Sequence, residues 1–217
     1  MRRDVRLVLA ASLSMAGRPA AAFGIAGVVL AAGAGTRFGE PKAGAMLRPG
    51  VRFVDAVVET ARAAGVDPII VVAPPGLAVP PGTVGATNPD AQGEQIQSLR
   101  LGLARLVSVP VDGALAWPVD HPYVDVDSVV AILEGARRTR APIVLPVFEG
   151  RRGHPVYFSR ECWRELATVS HGGARAVVHA HAGEILEVPV INIGVVRDID
   201  IRADMTNGQG ARRNAVS

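Results

Sequence analysis

An apolar run that enters a glycine-rich loop is the feature that most constrains this chain. Residues 27–32 read Gly-Val-Val-Leu-Ala-Ala, and the loop after them places three glycines around Arg37 and Lys42. Lys42 is the only lysine in the sequence, since every other cationic side chain is an arginine. Glycines leave backbone N–H groups accessible, lysine is a compact charge and arginine a planar fork, and these groups together suit phosphate oxygens. The segment therefore predicts a buried strand followed by a phosphate-binding loop.

Strand-like and helix-like segments alternate along the rest of the chain. Short apolar runs predict strands at 27–32, 69–73, 84–87, 113–119, 142–147, 155–158, 184–190 and 195–199. Helical spacing of apolar residues predicts helices at 54–64, 93–106, 127–139, 162–168 and 174–181, with Asp127 or Ser128 as the cap of the third. This alternation predicts a three-layer α/β fold, in which helices cover both faces of a mostly parallel central sheet.

The charge distribution argues against a nucleic-acid binder. The isoelectric point is 9.7 and the net charge is +3. However, residues 1–24 carry four arginines and one aspartate, and residues 211–217 carry two arginines, which leaves a net charge of −2 for the residues between. Aromatic side chains make up only 4% of the chain and do not alternate with basic ones, as base stacking would require. We therefore expect no nucleic-acid partner.

The length of 217 residues and a hydrophobic fraction of 49% suit one well-buried domain. Residues 1–24 imitate a secretory signal only weakly, because serines interrupt a short apolar stretch. We predict a leader or disordered extension at 1–24, a catalytic domain at 25–206 and a disordered tail at 207–217. The single cysteine, Cys162, fits a reducing compartment, and we expect a cytoplasmic protein. No segment is apolar and long enough to predict a membrane span.

Two nucleotide-binding motifs can be tested against the loop. The P-loop requires Gly-Lys-Ser/Thr, whereas Lys42 follows a proline. The dinucleotide fingerprint is met at Gly33 and Gly35, but Phe38 stands where its third glycine belongs. Asp55 lies at a plausible distance along the chain for a ribose contact. A non-catalytic nucleotide- or NAD-binding module therefore remains an alternative.

Residues 30–42, which read LAAGAGTRFGEPK, resemble the signature of the MobA-like nucleotidyltransferases, a family that includes molybdenum cofactor cytidylyltransferases. Later blocks resemble those of the family in the same order along the chain. They are Asn88-Pro89-Asp90 with Gly93 and Ser98, Asp120-His121-Pro122, Gly153-His154-Pro155 after two arginines, Gly173-Ala174-Arg175, and Asp198-Ile199-Asp200. The resemblance covers about residues 25–206 and implies a Rossmann-like nucleotidyltransferase fold.

The resemblance also implies an activity and its residues. It implies Mg²⁺-dependent transfer of a nucleoside monophosphate, CMP from CTP by preference, to a small phosphorylated acceptor such as molybdopterin, with release of pyrophosphate, by a monomer or homodimer. Arg37 and Lys42 would hold the triphosphate, and Asp120 would bind Mg²⁺ with Asp200 and, in reserve, Asp198. Arg151 and His154 would line the acceptor pocket. The nucleotide would contact Ala31, Ala32, Gly33, Gly35, Thr36, Asn88, Gly93 and Ser98.

The sequence departs from the family pattern at two places. The Thr-Pro-Glu that follows the closing Asp-Ile-Asp block is absent, and His121 stands where members that make the cofactor usually carry Gln or Met. Both departures concern the acceptor more than the chemistry. Guanylyl transfer, a sugar-phosphate acceptor and a protein that has lost activity are the alternatives left open.

Overall fold

A computed structural model describes residues 23–33, 35, 38–39, 41–90, 94–201 and 203–206. Within these residues eight strands form one sheet, and two short strands form an antiparallel pair of their own. In chain order the strands β1–β10 are Ile25–Leu30, Met46–Arg48, Val51–Arg52, Ile69–Ala73, Val84–Thr87, Gly113–Pro118, Ile143–Phe148, Arg151–Arg152, Val156–Ser159 and Ile185–Pro189. The order across the large sheet is β10-β7-β9-β6-β1-β4-β5, with β8 paired to β7.

Helices cover both faces of this sheet. In chain order the helices α1–α6 are Phe53–Ala63, Gln95–Ala104, Val126–Thr139, Trp163–Thr168, Gly173–Ala180 and Ala203–Thr206. Alternate residues of β1 separate two cores, as the period of a strand requires. Val29 packs in the core that contains α1 and α3, and Val28 packs in the core that contains α2, α4 and α5. The predicted three-layer fold is therefore confirmed.

The central strand β1 is buried along its whole length because it has a parallel neighbour on each side. The chain passes from β1 to β4 and β5 on one side and then crosses to β6 on the other. A crevice opens beyond the carboxyl ends of parallel strands where the strand order reverses in this way. β9 is antiparallel to both β6 and β7, so the mostly parallel sheet contains one internal antiparallel strand.

Two local predictions were wrong. Residues 195–199 were predicted as a strand, whereas Ile193–Val195 is a 3-10 turn and no residue from 196 to 199 lies in a strand. The apolar side chains of Val195 and Ile199 are buried against one face of the sheet without joining its ladder. The N-cap of α3 is Asp125, not Asp127 or Ser128, because its carboxylate accepts the backbone N–H of Ser128 at 2.9 Å.

Two residues of the predicted leader at 1–24, Phe23 and Gly24, are among the described residues. Phe23 stacks against Tyr157 with ring centroids 6.4 Å apart, and the Gly24 N–H donates to Asp112, so both contact the domain predicted to begin at 25. The rest of 1–24 and the tail 207–217 lie outside the described residues. Among the described helices, none has the length and apolar character to cross a membrane.

Candidate active site

The candidate site begins where β1 and β6 end side by side. Leu30 is in register with Pro118, and the Val119 N–H donates to the Leu30 carbonyl at 3.1 Å. Ala31, Ala32 and Gly33 follow β1, and Asp120 follows β6, so the loop and the carboxylate face one crevice. Gly33 is exposed, and among the described residues no atom outside its chain neighbours lies within 4 Å of the position a Cβ would take. Its backbone is therefore open to a ligand.

Lys42 lies in a tight turn that is fixed to the start of α1. The carbonyls of Ala43 and Ala45 accept the N–H groups of Val54 and Phe53, which are among the donors that the first turn of a helix leaves without partners. Gly35, earlier in the loop, has a φ of +61°, a conformation that glycine adopts without strain. The local sequence thus supplies a rigid platform for the lysine side chain.

The ammonium of Lys42 reaches two carboxylates from distant parts of the chain. Its Nζ lies 2.7 Å from Asp200 Oδ1 and 3.8 Å from Asp120 Oδ2. Lys42 is only 12% exposed at its side chain, so water screens this contact less than it would a surface pair. The structure therefore brings together Lys42, Asp120 and Asp200, which the sequence assigned to one site.

Asp120 is an unusual carboxylate. Its Oδ1 is buried and has no hydrogen-bond partner among the described residues. Burial raises the pKa of Asp120 above its ordinary value, against the opposing effects of His121 and Lys42. A buried acceptor without a donor is costly, and it is the kind of group that a bound cation would satisfy.

Asp198 and Asp200, which belong to the closing Asp-Ile-Asp block, lie in a loop. Ile199 is fully buried, and its N–H donates to the Asp120 carbonyl at 2.9 Å, which ties the loop to the end of β6. Asp204 Oδ2 accepts the N–H groups of Asp200 and Ile201, each at 2.9 Å. Asp204 therefore shapes the turn before α6 without the Thr-Pro-Glu of the family pattern. Asp198 is exposed and near enough to Asp120 to raise its pKa.

Asn88 and Ser98, predicted to contact the nucleotide, bind each other. Asn88 Nδ2 donates to Ser98 Oγ at 3.0 Å, and Asn88 Oδ1 accepts the Asp90 N–H. Both side chains are buried. The pair joins the end of β5 to α2 and so positions the segment between them. Gly93 in that segment, like Thr36 and Arg37 in the first loop, lies outside the described residues.

A cavity of about 570 Å³ opens between the sheet, α2 and α5. Its lining is partly apolar, with Leu30, Leu145 and Phe158, and also contains Glu94, His154 and two arginines that the sequence did not assign, Arg152 and Arg175. Arg152 is paired with Glu187 at 2.6 Å. An apolar cavity with a few polar groups suits a small ring-containing molecule. Arg151 is not part of this lining. It is exposed on β8, and its guanidinium lies 3.5 Å from the Val196 carbonyl.

His121 is the site residue to which sequence reasoning gave no role. It is buried, its ring lies 4.8 Å from that of His154, and its Nε2 lies 4.0 Å from Asp120 Oδ1. The signal available in the sequence was its position beside Asp120. By contrast, Asp55 is occupied inside α1, because the Arg52 guanidinium donates to both of its oxygens. That pairing gives Asp55 a structural role and weakens the NAD alternative.

His154 is expected to make the protein less stable in acid. Burial, with smaller contributions from His121 and Arg175, lowers the pKa of His154 to about 3. Because the folded value is below the ordinary 6.5, the unfolded chain binds this proton more readily, and stability is lost as pH falls from about 6.5 towards 3. The contribution reaches at most about 1.4 kcal/mol per pH unit.

Urea unfolding of wild type and His154→Gln at pH 7 and pH 4.5 measures this effect. The variant should lose less stability between the two pH values than wild type. His171→Gln, at an exposed histidine, is the control and should behave like wild type. Equal losses in wild type and His154→Gln would show that this histidine does not carry the acid sensitivity.

The fold is a three-layer α/β sheet, and a lysine and two carboxylates lie at the point where its strand order reverses. Together these features define an enzyme of the nucleotidyltransferase class. Comparison with known families agrees. Residues 27–185 match the MobA-like NTP transferase domain, and the chain belongs to that family. This confirms the family resemblance drawn from the loop at 30–42 and the later blocks, of which the block at 198–200 lies outside the matched residues.

Individual relatives are similar over most of their length. A probable molybdenum cofactor guanylyltransferase of Mycobacterium ulcerans is 26% identical over 194 residues, which cover 88% of this chain and 96% of the relative. The crystal structure of Rv0371c from Mycobacterium tuberculosis is 27% identical, with a TM-score of 0.73, and the match covers 85% of this chain and 96% of that one. A manganese complex of Rv0371c has a TM-score of 0.67 at 25% identity, and covers 85% of this chain and 97% of that one.

Proposed function

We propose that this enzyme transfers GMP from GTP to the phosphate of a small acceptor, with molybdopterin as the first candidate, and releases pyrophosphate. An acceptor phosphate oxygen attacks the α-phosphorus of the nucleotide. The bond from that phosphorus to the bridging oxygen breaks, and the leaving oxygen departs with pyrophosphate. The observation that carries the proposal is the contact of Lys42 with Asp200 and Asp120 at the carboxyl ends of β1 and β6.

Such a transfer needs positioned cations more than a nucleophilic side chain. Negative charge builds up on the bridging and leaving oxygens in the transition state, and fixed positive groups stabilise it. The ammonium of Lys42 lies near Asp120 at the end of β6, and Gly33 follows the adjacent strand β1, so both lie at the same edge of the sheet. We assign both to the triphosphate, with Arg37 as a further triphosphate ligand from the sequence.

The carboxylates fit a divalent cation. Asp120 Oδ1 is a buried hard-oxygen ligand without a partner among the described residues, and Asp200 lies across the lysine from it. Asp120 and Asp200 would hold the cation, with Asp198 nearby, and the ion would neutralise charge on the phosphate oxygens. Oxygen ligands favour Mg²⁺, and the Mn²⁺ complex of Rv0371c supports a divalent ion in general.

The donor base is the point at which the sequence and the relatives differ. The resemblance to cytidylyltransferases predicts CTP. Two curated relatives, from Mycobacterium ulcerans and Mycobacterium marinum, carry the name probable molybdenum cofactor guanylyltransferase. They cover 88% of this chain, and we therefore place GTP before CTP as the donor.

Pyrophosphate release from each nucleotide tests the proposal. The full chain is incubated with molybdopterin, Mg²⁺ or Mn²⁺, and GTP, CTP, ATP or UTP in turn. Release with GTP that requires both the acceptor and the cation supports the whole proposal. Release with CTP alone would show that the donor is CTP and not GTP, and it would leave the proposed transfer reaction unchanged. Nucleotide binding without any release, or binding of NAD alone, would favour a non-catalytic binding module.

Gly33→Ala separates a ligand role of the loop from a structural one. A Cβ at this position meets none of the described residues, so the free energy of unfolding should change by no more than about 0.5 kcal/mol. Nucleotide affinity should fall about tenfold or more, because the methyl group would stand between the backbone N–H and the phosphate. Calorimetric titration with the nucleotide and cation measures the affinity, and unchanged affinity would contradict the assignment of this loop to phosphate.

A further inference from the structure

Lys42 lies where the proposed divalent cation would bind. Its ammonium contacts Asp200 Oδ1 at 2.7 Å and approaches Asp120 Oδ2 at 3.8 Å, and these are the two carboxylates assigned to the cation. Asp198 adds a third negative charge close to Asp120. The ammonium is therefore a counter-ion of this acidic cluster in the structure.

We propose that Lys42 is an exchangeable counter-ion: a divalent cation displaces its ammonium from Asp200 and Asp120, and the displaced ammonium then binds the triphosphate. The inference rests on the proposed function and adds an order of events to it. Asp120 Oδ1, which has no partner among the described residues, faces the cation, while Lys42 lies 3.8 Å from the other oxygen of Asp120 and 2.7 Å from Asp200 Oδ1. Two positive charges on the same pair of partly buried carboxylates repel each other strongly, and of the two the lysine has the flexible stem that can move away.

The chemistry of the side chain suits such an exchange. Lysine carries a compact charge on four rotatable methylene groups, whereas an arginine would hold a carboxylate through a planar two-point contact. The turn that carries Lys42 is fixed to α1 through the carbonyls of Ala43 and Ala45, so only the side chain has to move. Gly33 follows β1, and Asp120, which Lys42 approaches, follows the neighbouring strand β6, so the glycine and the ammonium lie at the same edge of the sheet. Gly33 is the phosphate site to which we expect the ammonium to turn.

The exchange couples the two ligands. Without nucleotide, the ammonium competes with the metal for the carboxylates, and metal binding is weak. With nucleotide, the ammonium has another anion to bind and the metal meets less competition. The coupling of two ligands through one group is reciprocal and commonly amounts to a 5- to 150-fold change in affinity, so removing the ammonium should tighten metal binding by about fivefold or more.

Binding of Mn²⁺ alone to the full chain tests the first half of the exchange, with the free ion followed by electron paramagnetic resonance. Lys42→Met keeps the length of the side chain, removes its charge and should lower the Mn²⁺ Kd at least about fivefold. Arg48→Met is the matched control, because it also removes one positive charge but from an exposed pair with Glu59. Its Kd should equal that of wild type.

The second measurement uses the fact that Lys42 is the only lysine in the sequence. Lysine labelled with ¹³C at Cε gives one side-chain signal in wild type, which should shift when Mg²⁺ is added and shift again when GTP follows. The exchange would be overturned if the lysine signal did not shift when Mg²⁺ is added, or if Lys42→Met bound Mn²⁺ no more tightly than wild type. Either result would leave the proposed metal site intact. If neither wild type nor Lys42→Met bound Mn²⁺ at millimolar concentration, the metal site of the proposed function would fail as well.

Discussion

Lys42→Ala is expected to lower kcat for pyrophosphate release by about 10²- to 10³-fold while changing the free energy of unfolding by no more than about 1 kcal/mol. In the proposed reaction the ammonium would lie beside the place where charge develops in the transition state, and groups of this kind act mainly on kcat. Its loss costs little stability because its nearest partner, Asp200, is 41% exposed and can be solvated. Steady-state kinetics and urea unfolding of the same preparation measure the two quantities.

Arg48→Ala is the control for this prediction, because it removes a positive charge that pairs with Glu59 at 3.9 Å on an exposed surface. Both its kcat and its stability should stay close to those of wild type. A Lys42→Ala variant that lost activity only in proportion to folded protein would show that the lysine is a structural counter-ion and has no part in the reaction.

Asp120→Asn is expected to have the second large effect, a fall in kcat of about 10³-fold, together with unchanged or increased stability. The amide keeps the shape of the side chain but is a weak ligand for a hard cation. It also removes a negative charge whose Oδ1 is buried and has no hydrogen-bond partner in the part of the chain that the structure describes. Lys42 keeps its shorter contact with Asp200, so no cation is left unpaired.

The pH dependence of this stability gain follows from the pKa of Asp120, which burial raises above the ordinary value of 3.8. The folded chain holds the proton more tightly than the unfolded chain, so wild type pays the penalty of a buried charge as pH rises above about 4. The advantage of Asp120→Asn should therefore be larger at pH 7 than at pH 3.5. Urea unfolding at both values tests this, with the exposed Asp127→Asn as the control. A variant that is less stable at pH 7 would contradict it.

Much of the fold could be predicted because its determinants are local. The apolar runs at Ile69–Ala73 and Val84–Thr87 have the boundaries that the sequence predicted. Ile69–Ala73 is fully apolar and buried, whereas Val84–Thr87 ends in a threonine, lies at the edge of the sheet and buries only Ala86. A short apolar run between turns favours a strand in both places. The strand prediction at 195–199 was wrong because its buried apolar residues, Val195 and Ile199, pack against the sheet from a loop and do not pair within the sheet. Apolar character reports burial, and here it did not report strand pairing.

The sequence predicted which residues belong to the candidate site better than it predicted which of them contact each other. The loop at Lys42 and the Asp120 block are local motifs, and their residue types indicate the chemistry. Other features depend on neighbours across the fold: the hydrogen bond between Asn88 and Ser98, the pairing of Asp55 with Arg52, and the charged residues that line the cavity. The local motif at 151–155 indicated a site, but the structure was needed to place Arg152 on the cavity and Arg151 outside it.

By itself the sequence determined the α/β alternation, the phosphate loop and the acidic residues that follow it, because each depends on periodicity or on adjacent residues. Only the tertiary structure decided that the antiparallel β9 separates β6 from β7, and that Asp200 reaches Lys42 across 158 positions of the chain. Ile199 made that contact possible, since its burial and its bond to the Asp120 carbonyl hold the closing loop at the end of β6. Contacts between distant segments arise from packing, and no local pattern encodes them.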